Sequence, residues 1–225
     1  MMIIDFVGYP GSGKSTIMSK IEDPDIVKWV DLPPVKRLSL VRHLLGSRFF
    51  WRNFFLILRA SWICGFHGRK KVKGRWKNLE VVLHSIYHAE RFSESHKIYI
   101  VEKGPVSVLP VRSGVHGYKV VEKLLDRIVE RFPYSIIYFY SDVPSIIRNL
   151  KKRRTETDEK MLASPVLKRR IRRGKETMER NIEWIRDKLV HVAWIKTDED
   201  DLDKIFTQVK KEMKRIRKIA DERNL

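Results

Sequence analysis

The chain has 225 residues, 43% of them hydrophobic, which is enough to enclose one sizeable core. Its 47 Lys and Arg against 28 Asp and Glu give a formal charge of +19, so its expected partners are anionic: a phosphorylated substrate, nucleic acid or a membrane surface. The single cysteine, Cys64, excludes an internal disulfide and a Cys cluster for zinc, and a strand beginning at Met2 leaves no room for a signal peptide, so a cytoplasmic protein is expected.

Met2 to Val7 is a β-type run, and Gly8 to Ser15 follow it as GYPGSGKS, with Thr16 next and a helix-compatible run from Ser15 to Glu22. This fits the phosphate-binding pattern GxxxxGK[ST] in the strand–loop–helix setting that it requires. In such a loop, Gly8, Gly11 and Gly13 let backbone N–H groups curl around a β-phosphate, with Tyr9, Pro10 and Ser12 between them. The helix start adds its positive end at the same place. Lys14 would reach the β and γ oxygens of a nucleoside triphosphate, and the Ser15 hydroxyl would ligate Mg2+. Pro10 stiffens the cradle.

Asp25 to Val30 can form a second strand, and Asp31 stands at its carboxyl end before a Leu-Pro-Pro stop. In open α/β sheets ligands collect at that edge. From Val35 to Phe66 the pattern is helical, with a break near Gly46 and Ser47. Between Leu32 and Leu79 there are twelve Lys and Arg, eight aromatics and no acidic residue. Aromatic and aliphatic residues cover most of the circumference of 48–66, which predicts a largely buried helix. Arg48, Arg52 and Arg59 fall within about 40° of one another on it. Three readings of that stripe stand open: it faces an anionic substrate, it lies at headgroup level on a membrane, or it reaches solvent or carboxylates. The two positive charges at Arg52 and Arg59 argue against a transmembrane span.

Residues 97–101 read as a third, continuous apolar strand that ends at Glu102, Lys103 and Gly104, followed by a glycine-containing loop to Gly117. An amphipathic helix around 120–128 and a fourth strand, Tyr134 to Tyr140, come next. Asp142, Val143 and Pro144 then start a helix that carries Arg148, Lys151, Lys152, Arg153 and Arg154 into a polar segment. A long helix from Pro165 to Lys188, a fifth strand from His191 to Ile195 and a terminal helix with Ile205, Val209, Met213 and Ile216 inward complete the pattern. His84 and His88 stand at i and i+4 but lack the Glu of HExxH, and are read as polar helix residues.

The expected fold is α/β: a parallel five-stranded P-loop NTPase-type sheet with helices on both faces and a basic helical lid. One domain spans 1–225, with an aromatic and basic region at about 35–77 and the lid at about 148–175. The order of phosphate loop, acidic strand end and basic helix resembles the P-loop nucleoside and nucleotide kinases, with the thymidylate kinase-like branch nearest. The resemblance covers most of the chain in layout, and only GYPGSGKS is highly specific.

That resemblance implies Mg-ATP-dependent phosphoryl transfer to a small hydroxyl or phosphate acceptor, and a homodimer. It makes Glu102 the general base or Mg2+ organiser, and it places Lys103 where the family has Arg. It puts Arg148, Arg153 and Arg154 on the lid near the transferred group, and the region of Asp31, Arg48, Arg52 and Arg59, with Lys103, on the acceptor side. Three other readings compete: a nucleic-acid-binding or end-modifying ATPase, a kinase of a lipid- or glycan-linked acceptor at the membrane surface, and an ATP-binding switch without turnover.

Overall fold

The computed structural model describes residues 2–29, 37–65, 82–84, 86–91, 97–102, 104–108, 118–153, 159, 162–198 and 201–223. Five strands, β1 (Met2–Val7), β2 (Ile26–Lys28), β3 (Ile98–Val101), β4 (Tyr134–Tyr140) and β5 (His191–Lys196), form one sheet in the order β2-β3-β1-β4-β5. Every neighbouring pair is parallel. Such a sheet needs crossover connections, and helices supply them: α1 (Lys14–Ser19), α2 (Arg37–Gly46), α3 (Arg48–Gly65), α4 (Pro105–Val108), α5 (Tyr118–Arg131), α6 (Val143–Arg153), α7 (Leu167–Ile185) and α8 (Leu202–Glu222). Residues 82–84 and 86–91 are also helical.

The central strand shows why both faces are covered. Met2, Ile4 and Phe6 point into a core shared with Ile17 and Met18 of α1 and with Ile205, Val209 and Ile216 of α8. Ile3 and Val7 point the other way, into a core built with α3, α5 and Ile182 and Ile185 of α7. The period of two along the strand thus divides its residues between two apolar layers. Asp5 shares the second face and is fully buried there.

The break expected near Gly46 and Ser47 is present, and its chemistry is a helix N-cap. The Ser47 hydroxyl accepts the amide of Phe50 at 2.9 Å and donates to Glu90 Oε1 at 2.8 Å. The prediction of a largely buried α3 is corrected. Phe49, Asn53, Ile57 and Ala60 are buried at helical spacing, while Trp51, Phe55 and Leu58 are exposed. The reason is positional: α3 packs on α5, with the Phe49 and Phe132 rings 5.6 Å apart, and a helix of an outer layer has a partner on one side only. In the expected loop 105–117, Pro105–Val108 is a short helix, and 109–117 lie outside the described residues. No helix among the described residues is long and apolar enough to cross a membrane.

Candidate active site

The phosphate loop joins the carboxyl end of β1 to α1. Gly11 and Gly13 take φ of 90° and 81°, a region that side chains with a Cβ avoid. At Gly8 the constraint is space: a Cβ would lie 2.5 Å from the Phe139 carbonyl of neighbouring β4. Lys14 is buried, and its ammonium donates to the carbonyls of Gly8 at 2.7 Å and Tyr9 at 3.3 Å. Its charge is therefore held against the concave side of the loop.

Strand order brings the second component. β3 lies beside β1 with Asp5 opposite Val101, so Glu102 leaves the sheet next to the phosphate loop. The Ser15 hydroxyl donates to Glu102 Oε1 at 2.5 Å across 87 residues of sequence. A hydroxyl and a carboxylate at this separation are hard oxygen donors of the kind Mg2+ takes, with water and phosphate oxygens completing its shell. Ser15 and Glu102 therefore fit the ion. No group of three or more His, Cys, Asp and Glu able to hold a metal occurs among the described residues.

Beneath this pair lies a buried acid that periodicity alone would assign to core. Asp5 Oδ2 accepts the Tyr134 hydroxyl at 2.8 Å, and Oδ1 faces the Gly104 amide at 3.4 Å. A Cβ on Gly104 would overlap the Asp5 carboxylate and come within 2.7 Å of the Tyr134 oxygen. The turn after Glu102 is thus seated on Asp5. Burial pushes the Asp5 carboxyl up to about 7, against the lowering effect of the Tyr134 bond, the Gly104 amide and the Lys14 charge. The signal in the sequence was an Asp inside an otherwise apolar strand.

The basic lid of the sequence reading divides between two faces of α6. Asn149 donates to the Gly11 carbonyl at 2.9 Å, and Ile146 and Leu150 close on Gly11 from the same side. Arg153 is one turn beyond Asn149, so it shares the face turned to the phosphate loop. Arg148 instead lines a basic groove with Lys151, Lys152, Lys168 and Arg172, on the face where Pro144 and Ile147 stand. Arg154, like Asp31 and Lys103, lies outside the described residues. α7 touches the loop as well: Gly174 is so close to the Tyr9 ring that a Cβ there would lie 2.5 Å from Tyr9 Cε2. Asn149 and Gly174 carry no motif, and the sequence reading missed both.

Arg48, Arg52 and Arg59 are exposed on α3, and no hydrogen bond or ion pair joins them to the phosphate loop among the described residues. A cavity of about 20 Å³ lies between Trp29, His88, Tyr99, Phe132 and Tyr134. That is room for about one water. Burial, then His84 and Arg91, pull His88 down to about 4, which keeps it neutral.

A parallel five-stranded sheet with a phosphate loop after its central strand and helices around it is the P-loop kinase fold. Among solved structures the chain is similar to deoxyadenosine kinase from M. mycoides with bound dATP, at 16% identity and a TM-score of 0.51, over 95% of this chain and 100% of that one. The same enzyme with bound dCTP aligns at 14% identity and a TM-score of 0.49, over 95% and 99%. At 16% identity the likeness to the dATP-bound enzyme shows the fold alone. No protein-family model matches the sequence, and no curated protein matches it.

Proposed function

We propose that the chain is a kinase that moves the γ-phosphoryl group of ATP to a hydroxyl of a nucleoside-type acceptor. The observation that carries this reading is the convergence of the Ser15 hydroxyl, the Glu102 carboxylate and the Lys14 ammonium at one end of the sheet. Fold similarity to deoxyadenosine kinase supports a nucleoside acceptor over a nucleotide one.

In this reading the loop amides and Lys14 hold the triphosphate, and Lys14 offsets charge that gathers on the phosphoryl oxygens. Mg2+, when bound, neutralises the β and γ oxygens. Ser15 and Glu102 would hold it, and a Glu102 oxygen takes the proton of the acceptor hydroxyl as the acceptor oxygen bonds to phosphorus and the bond to the ADP oxygen breaks. Of the lid arginines, Arg153 is favoured as the cation over the phosphates because it shares a helix face with Asn149.

The test is ATP consumption by the purified chain with Mg2+, across nucleosides, nucleoside monophosphates and short single-stranded oligonucleotides, with Lys14→Ala as the control. Turnover that requires both a nucleoside and Lys14 supports the proposal. ATP binding without turnover on any acceptor would replace it with a switch, and turnover only with oligonucleotides would make the chain an end-modifying enzyme.

A further inference from the structure

The outer face of α3 is unlike the rest of the surface. Trp51, Phe55 and Leu58 are 50%, 82% and 42% exposed, and Val41 and Leu45 of α2 add 51% and 58%. The Trp51 indole donates to the Leu45 carbonyl at 2.8 Å, which joins the two helices' contributions into one patch. The rings of Trp51 and Phe55 each pack on Phe54, at 5.6 and 5.4 Å, so the aromatic edge is braced from below. At 100° per residue, Leu58, Trp51 and Phe55 span about 60° of arc, and Arg48, Arg59 and Arg52 fill about the next 40°. All three arginines are exposed, without hydrogen-bond or ion-pair partners among the described residues. The sequence from 32 to 79 holds no carboxylate.

We propose that this face docks on an anionic lipid bilayer. An apolar edge beside a cationic edge on one exposed arc is what an interfacial helix needs: the rings enter the headgroup boundary while the guanidinium groups meet lipid phosphates. Since no helix among the described residues can cross a membrane, the helix lies on the surface. Charge decides against a second copy of the chain as the occupant. A second copy would bring two chains of +19 together, and no carboxylate in 37–65 would offset the arginines of either. Nucleic acid fits less well because Leu58, Val41 and Leu45 offer no surface for base stacking and line the face at the level of the rings. The inference concerns the outer layer of the fold and does not rest on the phosphotransfer reading.

The experiment is co-sedimentation of the full chain with vesicles of phosphatidylcholine alone and with phosphatidylglycerol added. Binding is expected only to the anionic vesicles, and Phe55→Ser should weaken it about tenfold. Replacing Arg48, Arg52 and Arg59 together by Gln should weaken it about a hundredfold, the order expected for three cations at an anionic surface. As a control, Lys211, Lys214 and Arg215 of α8, also exposed, lose the same charge when changed to Gln and should leave binding within about twofold. Phe55 is so exposed that Phe55→Ser decides the matter even where the triple variant does not fold. Failure of the wild-type chain to bind anionic vesicles, indifference to Phe55→Ser, or an equal loss in the α8 control would overturn the proposal. So would a Phe55-dependent dimer seen by analytical ultracentrifugation in place of vesicle binding, or Phe55-dependent binding to an oligonucleotide in its place.

Discussion

Glu102 meets Ser15 because β3 lies beside β1, and Gly104, two residues on, is packed against the buried Asp5, so single side chains are decisive here. Lys14→Ala removes the ammonium bound to the Gly8 and Tyr9 carbonyls, and turnover should fall by at least about 10² to 10³, the usual loss for one preorganised charge donor. Steady-state ATP consumption checks it, and an unchanged rate would remove the phosphate loop from the chemistry. Asp5 and His88 make a prediction about pH. The Asp5 carboxyl is raised to about 7, so the folded state binds more protons than the unfolded one between about 4 and 7, and stability from this group falls as pH rises. His88 is lowered to about 4, so between about 4 and 6.5 the unfolded state binds more protons, and stability from this group rises with pH. The two slopes oppose one another. Asp5→Asn should therefore uncover a steeper loss of stability on acidification than the wild type shows. Urea midpoints from pH 4.5 to 7 measure it, and parallel curves would refute it.

Elements act here by how closely they approach. Gly174 lets α7 lie on the Tyr9 ring, and Asn149 ties α6 to the Gly11 carbonyl, so these two helices brace the phosphate loop from outside. Gly174→Ala must displace either the ring or the helix, with an expected cost of about 1–3 kcal/mol and weaker ATP binding. Calorimetry of the variant with and without ATP reads both; a variant as stable and as tight as wild type would mean that the ring simply swings aside. At the start of α3, Ser47→Ala removes a cap and a partner of Glu90, and about 1 kcal/mol of stability should go with it. The denaturant midpoint should shift at constant slope, with ATP affinity unchanged.

For the whole molecule, charge and topology set different properties. A net charge of +19 opposes compaction through self-repulsion, which salt screens within about 8 Å at physiological ionic strength. The melting temperature should rise from low to moderate NaCl. A flat or falling dependence would mean that local ion pairs, such as Lys188 with Asp126 and Glu130, outweigh the global term. Topology fixes the site: in the order β2-β3-β1-β4-β5, the two strands that carry the phosphate loop and Glu102 lie side by side.

The strands, the phosphate loop and the acidic strand end were legible in the sequence because each is a local pattern: period-two or continuous apolar runs, glycines at fixed spacing, a carboxylate where a run stops. The break at Ser47 was legible for the same reason, as a small polar residue between two helical periods. What needed the folded chain is every relation between distant residues. The alternation along β1 gave no hint that Asp5 would meet Tyr134 and Gly104. Helical spacing puts Arg148 and Arg153 about 140° apart on α6, but only the bond from Asn149 to the Gly11 carbonyl shows which side turns to the phosphate loop. The apolar circumference of α3 read as burial, because a sequence records how hydrophobic a helix is and not how many neighbours the sheet gives it. One side of α3 is packed and the other exposed because helices in the outer layer of a sheet have a partner on one side only, and that is decided when the layers assemble.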